Sequence, residues 1–304
     1  MDKYQRIDFR DQIARNKRKS FFLMIIIFAV FILLAYVISM AFAPGYFFVI
    51  MVFAIIISLI YILASYYNAD KIAIASVKAK PASKTEYRDY YNLVEGITIA
   101  SGLPMPKLYI MKSEQINAFA SGRDPKHSVV CVTEGALNKL DRRELEAVLA
   151  HELGHIKNYD IRYMTLVSVM VGMVAIISEI FLRSLFFSSG GRDSENNKAQ
   201  IIFLILGIVL AILAPVAVAL VQLSISRKRE YSADASAVKF TRYPQGLINA
   251  LKKIKSDYEH PTPNELKEKK PSKALAPMFF ANPFRNLGST HPPIDERIKT
   301  LERM

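Results

Sequence analysis

The stretch Ala150-His151-Glu152-Leu153-Gly154-His155 decides how the rest of this chain is interpreted. It follows Asp141-Arg142-Arg143-Glu144, a capping-box pattern that predicts the start of a helix. At about 3.6 residues per turn, His151 and His155 lie on one helix face, where both imidazoles can bind a single zinc ion. Glu152 is then beside the metal, where it can take a proton from a water molecule. Because the H-E-x-x-H pattern also occurs by chance, its context decides the interpretation.

The composition indicates a membrane protein with a charged, hydrated part. Of the 304 residues, 52% are hydrophobic, yet the net charge is +13. A soluble domain of this length is less apolar, and a pure membrane bundle is less charged. Since much of the basic excess flanks apolar segments, it is better explained by anionic lipid headgroups than by nucleic acid. The single cysteine, Cys131, excludes an intrachain disulfide, and we expect it to be buried and inert.

Four segments are long and apolar enough to cross a bilayer. They run from about Phe21 to Ala43, Tyr46 to Ser65, Met164 to Phe187 and Ile201 to Ser224. The first is about twice as long as the core of a signal peptide, so we expect a permanent anchor. The third contains Glu179 and Arg183, which are costly in lipid unless they pair or lie near the interface. A partly shielded hairpin therefore stays open as an alternative for the last two segments.

The distribution of basic residues predicts the orientation. Lys and Arg are concentrated before the first segment and directly after the fourth, at Arg227-Lys228-Arg229. The turn between the first two segments has none, and the loop between the third and fourth has only Arg192 and Lys198. The positive-inside rule therefore places both termini and the H-E-x-x-H helix in the cytoplasm. The predicted domains are a basic cytoplasmic N-terminus (1–20), a transmembrane helical hairpin (21–65), a cytoplasmic part with the HELGH helix (66–163), a second transmembrane hairpin (164–224) and a second cytoplasmic part (225–304).

The first cytoplasmic part carries the pattern of a small sheet. Alternating apolar and polar residues over 107–112 predict a strand, and residues 116–122 and 128–133 flank a turn and predict a β-hairpin. The remaining predictions are a helical region at 70–100, a long loop at about 256–290 and a short helix at 294–302.

A catalytic zinc site needs three protein ligands and an open position for water. Glu230 is the outstanding candidate for the third ligand, because it lies just beyond the fourth apolar segment and a carboxylate can complete a site with two histidines. Asp234 follows one turn later on the same helix face, where an outer carboxylate can fix the tautomer of a ligating histidine. Alternatively, both carboxylates pair with Arg227 or Lys228 on an exposed face, and the residues taken alone favour that alternative.

The pieces HELGH, REYSADASAV, NAFASG and STHPPIDERI, interleaved with four hydrophobic segments, resemble the HtpX family of membrane-bound zinc metalloproteases. This family is related to the CAAX prenyl proteases, and the resemblance covers nearly the whole chain. It implies an α+β integral membrane protein, with a mainly helical zincin-type metalloprotease domain, a small β-sheet and four transmembrane helices. It also implies a gluzincin-type site in which His151, His155 and Glu230 bind one Zn²⁺ and Glu152 is the general base.

The resemblance further implies a function in membrane protein quality control. The expected substrates are damaged or misassembled membrane proteins and unfolded polypeptides, cleaved without ATP at the bacterial plasma membrane. In agreement, the sequence contains no G-x-x-x-x-G-K-[ST] nucleotide-binding loop. The expected partners are these substrates and the lipid bilayer, without nucleic acid.

Three weaker site assignments follow from the same motifs, each with an alternative. His291 is a candidate donor to the developing oxyanion, or else a turn residue ahead of the last helix. Arg297 is a candidate for a salt bridge to the site, or else a surface arginine. Asn117-Ala118-Phe119-Ala120 matches an edge strand that binds an extended peptide by β-augmentation, with Asn117 bonding the peptide backbone, or else it belongs to an ordinary core hairpin.

Two other functions are weighed against a quality-control endopeptidase. A prenyl-protein processing peptidase is disfavoured, because four spans are too few for the large multi-helix chamber of those enzymes. A catalytically idle, metal-stabilised membrane scaffold is disfavoured because Glu152 is present. Turnover of a prenylated peptide would support the processing peptidase. The absence of any cleavage would support the idle scaffold.

Overall fold

A computed structural model of the chain describes residues 9–42, 44–168, 207, 209, 227–263, 278–280 and 292–304. The described part is mainly helical with one small sheet, as predicted. Its elements are α1 (Phe9–Phe42), a short 3₁₀ turn (Pro44–Tyr46), α2 (Phe47–Tyr67), α3 (Ala69–Ser76), β1 (Lys80–Pro81), α4 (Arg88–Ser101), β2 (Lys107–Met111), β3 (Ala118–Asp124), β4 (His127–Thr133), α5 (Glu134–Lys139), α6 (Arg142–Lys157), α7 (Arg227–Thr241), α8 (Pro244–Glu259) and α9 (Ile294–Leu301). A further helical segment covers residues 160–168.

Helices α1 and α2 pack against each other and are joined by the 3₁₀ turn. Among the described residues, α2 is the one helix whose length and composition suit a membrane crossing. Its apolar side chains are largely exposed, for example Phe48 at 78% and Ile60 at 61%, and such a surface fits lipid better than water. The third and fourth predicted spans lie almost wholly outside the described residues, so the number of four spans stays a prediction.

The sheet has the strand order β1-β2-β4-β3. β2 runs parallel to β4, and β3 forms an antiparallel hairpin with β4 in which Ala118 lies opposite Val132. The predicted hairpin is thus confirmed, with strands that extend closer to the turn than the sequence indicated. β3 lies at one edge of the sheet, and beyond it Phe119 forms an isolated antiparallel bridge with Phe279.

Helix α6 begins with the predicted capping box. The Asp141 carboxylate accepts the backbone N–H groups of Arg143 and Glu144 at 2.9 Å, and Glu144 in turn accepts the Asp141 N–H at 2.8 Å. From Leu145 to Ile156 nearly every side chain is buried, because α6 packs against the sheet, α4, α7 and α8. A helix surrounded in this way lies at the centre of its domain.

Helix α7 crosses α6 at Gly154, inside the H-E-x-x-H motif. A Cβ atom added at Gly154 would lie 3.0 Å from Ser236 Cβ and 3.3 Å from the Ala233 backbone, which is closer than side chains normally pack. The missing side chain therefore lets α7 approach the face of α6 that carries the histidines. This approach positions Glu230, which lies one turn before Ala233.

Two predicted boundaries are wrong. The helical region at 70–100 is interrupted after Ser76 by a turn in which Lys78 has a positive φ of 54°, and then by β1. Pro81 in β1 cannot continue a helix, because it lacks the N–H donor. The loop predicted from about residue 256 starts later, since α8 continues to Glu259.

Candidate metal centre

Three residues of the predicted ligand set lie together in the core. His151 and His155 project from α6 and Glu230 from α7, and all three side chains are at most 5% exposed. The two Nε2 atoms are 3.1 Å apart, and each lies 3.6 Å from one oxygen of Glu230. Ligands that surround zinc tetrahedrally at about 2.0–2.2 Å are themselves roughly 3.3–3.6 Å apart. The three side chains can therefore hold one metal ion of this size.

His151 is oriented by a buried ion pair between α7 and α9. Its Nδ1 lies 2.9 Å from Asp234 Oδ1, and Arg297 donates to both oxygens of Asp234, at 2.9 Å and 2.6 Å. Burial alone raises the pKa of Asp234, but the charge of Arg297 and the hydrogen bonds with Arg297 and His151 together outweigh it and keep the pKa below its usual value. The ionised carboxylate accepts the proton on Nδ1 of His151, which leaves Nε2 free to bind a metal.

Burial lowers the pKa of His151 itself to about 4. The imidazole is therefore neutral at physiological pH, which is the form that binds metals.

The alternatives with exposed side chains do not hold. Glu230 and Asp234 are 3% and 1% exposed, and Arg297 is 1% exposed. The sequence spacing placed the two carboxylates on one face of α7 but did not predict which helices pack against that face. The partner is α6, together with the last helix, which carries Arg297.

His155 is oriented by Asp160, a residue that the sequence reasoning missed. Asp160 Oδ2 lies 3.0 Å from His155 Nδ1, and Asp160 is fully buried. Burial lowers the pKa of His155, but the hydrogen bond with Asp160 and the charge of Glu230 outweigh it and raise the pKa to about 9. The surroundings of His155 Nε2 thus favour a positive charge, which a divalent cation supplies. The signal available in the sequence was a carboxylate in the polar turn directly after the motif.

Glu152 is 1% exposed, and among the described residues its carboxylate interacts with the backbone N–H of Ala120 but makes no hydrogen bond to a side chain. Burial, with a smaller contribution from the charge of Glu230, raises the pKa of Glu152 to about 7. A buried carboxylate without a side-chain hydrogen bond is costly and is typical of a functional group. A pKa near neutrality suits a group that accepts a proton and later returns it.

The predicted peptide-binding segment lies next to the ligands, but its edge is already paired. The Ala118 carbonyl accepts the N–H of Phe280 at 2.8 Å, beside the bridge between Phe119 and Phe279. The ring of Phe280 in turn lies 4.8 Å from the ring of His151. The side-chain amide of Asn117 donates to the hydroxyl of Tyr258 at 2.8 Å. His291, the predicted oxyanion donor, lies outside the described residues.

The chain is similar to known proteases along nearly its whole length. Residues 84–304 match the peptidase family M48. A protease HtpX homolog from Dictyoglomus thermophilum is 40% identical over 300 residues, which cover 97% of this chain and 95% of that protein. A second, from Thermoanaerobacter pseudethanolicus, is 44% identical over 245 residues, 79% of this chain and 80% of that protein. The crystal structure of S. mikatae Ste24p has a TM-score of 0.49 at 22% identity and covers 96% of this chain and 66% of that chain.

These relatives confirm the family that the four sequence motifs indicated. The chain belongs to peptidase family M48 and is a metalloprotease of the HtpX group.

Proposed function

We propose that this metalloprotease is a zinc-dependent endopeptidase of the bacterial plasma membrane, which hydrolyses damaged or misfolded membrane proteins without ATP. In this proposal residues 66–163 and 225–304 form the cytoplasmic catalytic domain, residues 21–65 and 164–224 form two transmembrane hairpins, and residues 1–20 are a basic cytoplasmic N-terminus. The observation that carries it is the set of three buried ligand atoms beside the buried carboxylate of Glu152.

The chemistry follows from what each side chain can do. His151, His155 and Glu230 would hold the metal. When bound, the metal would act as a Lewis acid that lowers the pKa of water and polarises a carbonyl group. Glu152 would accept the proton of the attacking water at its carboxylate and later deliver it to the leaving amine, and a pKa of about 7 allows both steps. In this scheme Asp234 and Arg297 fix His151, while His291 is a donor to the oxyanion.

Substrate binding along β3 is supported by the position of that strand. An extended peptide would pair with the edge-facing backbone groups of β3, next to the metal ligands. Because Phe280 bonds the Ala118 carbonyl and Tyr258 bonds Asn117, a peptide would have to exchange these partners. We therefore propose that substrate binds along Asn117, Ala118, Phe119 and Ala120, and that it displaces the segment Met278–Phe280 from the edge of β3.

The choice of membrane proteins as substrates is supported by where the ligand helix leads. After His155 the chain continues in residues 160–168, where Tyr163, Leu166 and Val167 pack with side chains of α1 and α2. The metal ligands are thus close to the helices that we assign to the membrane. A peptidase held at the bilayer surface meets membrane proteins before it meets other substrates.

The test uses the full chain, purified in detergent. Glu152→Gln should retain one zinc per chain but lose cleavage of a denatured substrate such as casein, and a chelator should abolish cleavage by the unmodified chain. Glu146→Gln is the matched control, because it removes a carboxylate from the same helix at a partly exposed position. Casein cleavage by Glu152→Gln at the unmodified rate would falsify the mechanism. Cleavage of a prenylated peptide but not of casein would replace the proposed substrate class.

A further inference from the structure

The N-terminal helix α1 contacts the support of one metal ligand. Asn16 of α1 donates a side-chain N–H to Asp160 Oδ1 at 2.6 Å, and its amide also bonds the Asn158 carbonyl at 3.0 Å. Asp160 uses its other oxygen for His155. Asn16 is 3% exposed and Asp160 is fully buried, so these hydrogen bonds form away from water. A chain of two hydrogen bonds therefore connects α1 to His155.

The turn that carries Asp160 is itself held by α1. Tyr159 has a positive φ of 57°, a conformation that is unfavourable for a residue with a Cβ atom. The ammonium group of Lys17 lies 4.4 Å from the centre of the Tyr159 ring, next to the bond from Asn16 to Asn158. Two consecutive side chains of α1 thus contact the three residues of this turn, which begins directly after α6.

Asn16 lies in α1 just before the apolar segment that we assign to the membrane. From Phe21 onwards α1 carries no charged side chain, and this is the segment that we assign to the membrane. Asparagine is a poor helix former, and a buried amide costs free energy unless its donors are satisfied. Among the described residues, the partners of these donors belong to the turn after the metal-binding helix and not to α1 itself.

We propose that Asn16 is a positioning residue of the metal centre. It holds the carboxylate of Asp160 in the orientation that keeps Nδ1 of His155 engaged and Nε2 directed at the metal. Metal retention is thereby linked to the docking of a membrane helix on the catalytic domain. This inference rests on the proposed function, since it takes the metal to be bound by His151, His155 and Glu230.

The test measures the rate at which zinc passes from the full-length chain, in detergent, to an excess of a chromogenic chelator. All variants carry Glu152→Gln, so that self-cleavage does not interfere. Asn16→Leu keeps the approximate volume but removes both donors, and we expect about tenfold faster release, at the lower end of the effect of losing an outer hydrogen-bond partner. Ser20→Ala is the matched control, because Ser20 is a buried residue one turn later that bonds only within α1. It should leave the rate unchanged.

A double-mutant cycle separates positioning from general stability. If Asn16 acts through Asp160, Asn16→Leu has little further effect on zinc release in an Asp160→Ala background. Equal acceleration in both backgrounds, or no acceleration by Asn16→Leu alone, would overturn the inference while leaving the zinc peptidase intact. Failure of the unmodified chain to bind zinc would overturn the inference and the proposed function together.

Discussion

The two histidines of the metal centre are oriented by two different parts of the molecule. His151 depends on Asp234 and Arg297, which belong to helices α7 and α9, and this support is a buried ion pair. His155 depends on Asp160, whose second oxygen binds the neutral amide of Asn16 in the helix that continues into the predicted membrane anchor. In both cases a carboxylate orients the histidine, but one carboxylate is held by the cation of Arg297 and the other by the neutral amide of Asn16. Loss of a partner should disturb the first support more, because it leaves a charge buried alone.

The largest effect is expected on the His151 side. Asp234→Ala leaves the guanidinium of Arg297 buried without its main partner, so the free energy of unfolding should fall by about 3–5 kcal/mol and zinc binding should be lost. Denaturant unfolding and metal analysis measure both. Asp295→Ala is the control, because it removes an exposed carboxylate from the same helix as Arg297 and should change neither. Unaltered stability of Asp234→Ala would contradict the assignment of a buried ion pair.

Phe280 covers the His151 side only, since its ring lies 4.8 Å from His151 and 4.8 Å from the guanidinium of Arg297. Phe280→Ala should lower the free energy of unfolding by about 3 kcal/mol through loss of buried surface. It should also lower KM for an extended peptide, because the segment bonded to Ala118 is held less firmly. Leu251→Ala in the core of α8 provides a comparable cavity without this contact. A raised KM in Phe280→Ala would make Phe280 part of the peptide site instead.

A smaller effect is expected on the His155 side. Asp160→Ala leaves His155 and the amide of Asn16 without their partner, but His155 can lose its proton whereas Arg297 cannot, so the change should cost only about 1–3 kcal/mol of stability. Zinc affinity should fall by roughly 10–100-fold, as is usual when the outer partner of a metal ligand is removed. Competition with a chelator of known affinity measures this change. The proposed difference between the supports would be refuted if Asp160→Ala were as destabilising as Asp234→Ala.

The smallest effect is expected at the crossing of α6 and α7, the two helices that carry the metal ligands. Gly154→Ala introduces a Cβ atom 3.0 Å from Ser236 Cβ, which should move α7 and Glu230 slightly away from the histidines. The cost should be about 1–2 kcal/mol, because overpacking outweighs the better helix propensity of alanine. Adding Ser236→Gly removes the opposing atom and should restore zinc affinity. Failure of this second change to restore it would show that the close approach does not set the position of Glu230.

Local patterns carried most of what the sequence predicted about the site. The capping box at Asp141, the spacing of His151 and His155, and the alternation of the hairpin involve residues within a few positions of each other. The spacing named Glu230 and Asp234 as candidates but favoured an exposed pairing, the resemblance to a family implied Glu230 as a ligand, and the structure brings both residues against α6. The number of membrane spans remains a prediction, because the third and fourth lie almost wholly outside the described residues.

Long-range packing accounts for what the sequence did not predict. For Arg297 the sequence supported a surface position nearly as well as a salt bridge to the site, because nothing in the last helix reveals that it faces Asp234, 63 residues earlier. Asn16 and Asp160 are separated by 144 residues, and neither belongs to a motif. The pairing of Phe280 with Ala118 depends on a tertiary contact that no local pattern encodes.

The central claim is that His151, His155 and Glu230 hold one zinc ion, and X-ray absorption at the zinc edge of the full-length chain tests it most directly. The predicted spectrum has two imidazole nitrogens at about 2.0–2.1 Å and oxygen ligands at about 2.0–2.2 Å, from Glu230 and a water molecule. Glu230→Ala should lose the bound zinc or the carboxylate contribution. A sulfur ligand at about 2.3 Å, or a zinc spectrum unchanged by Glu230→Ala, would contradict the claim.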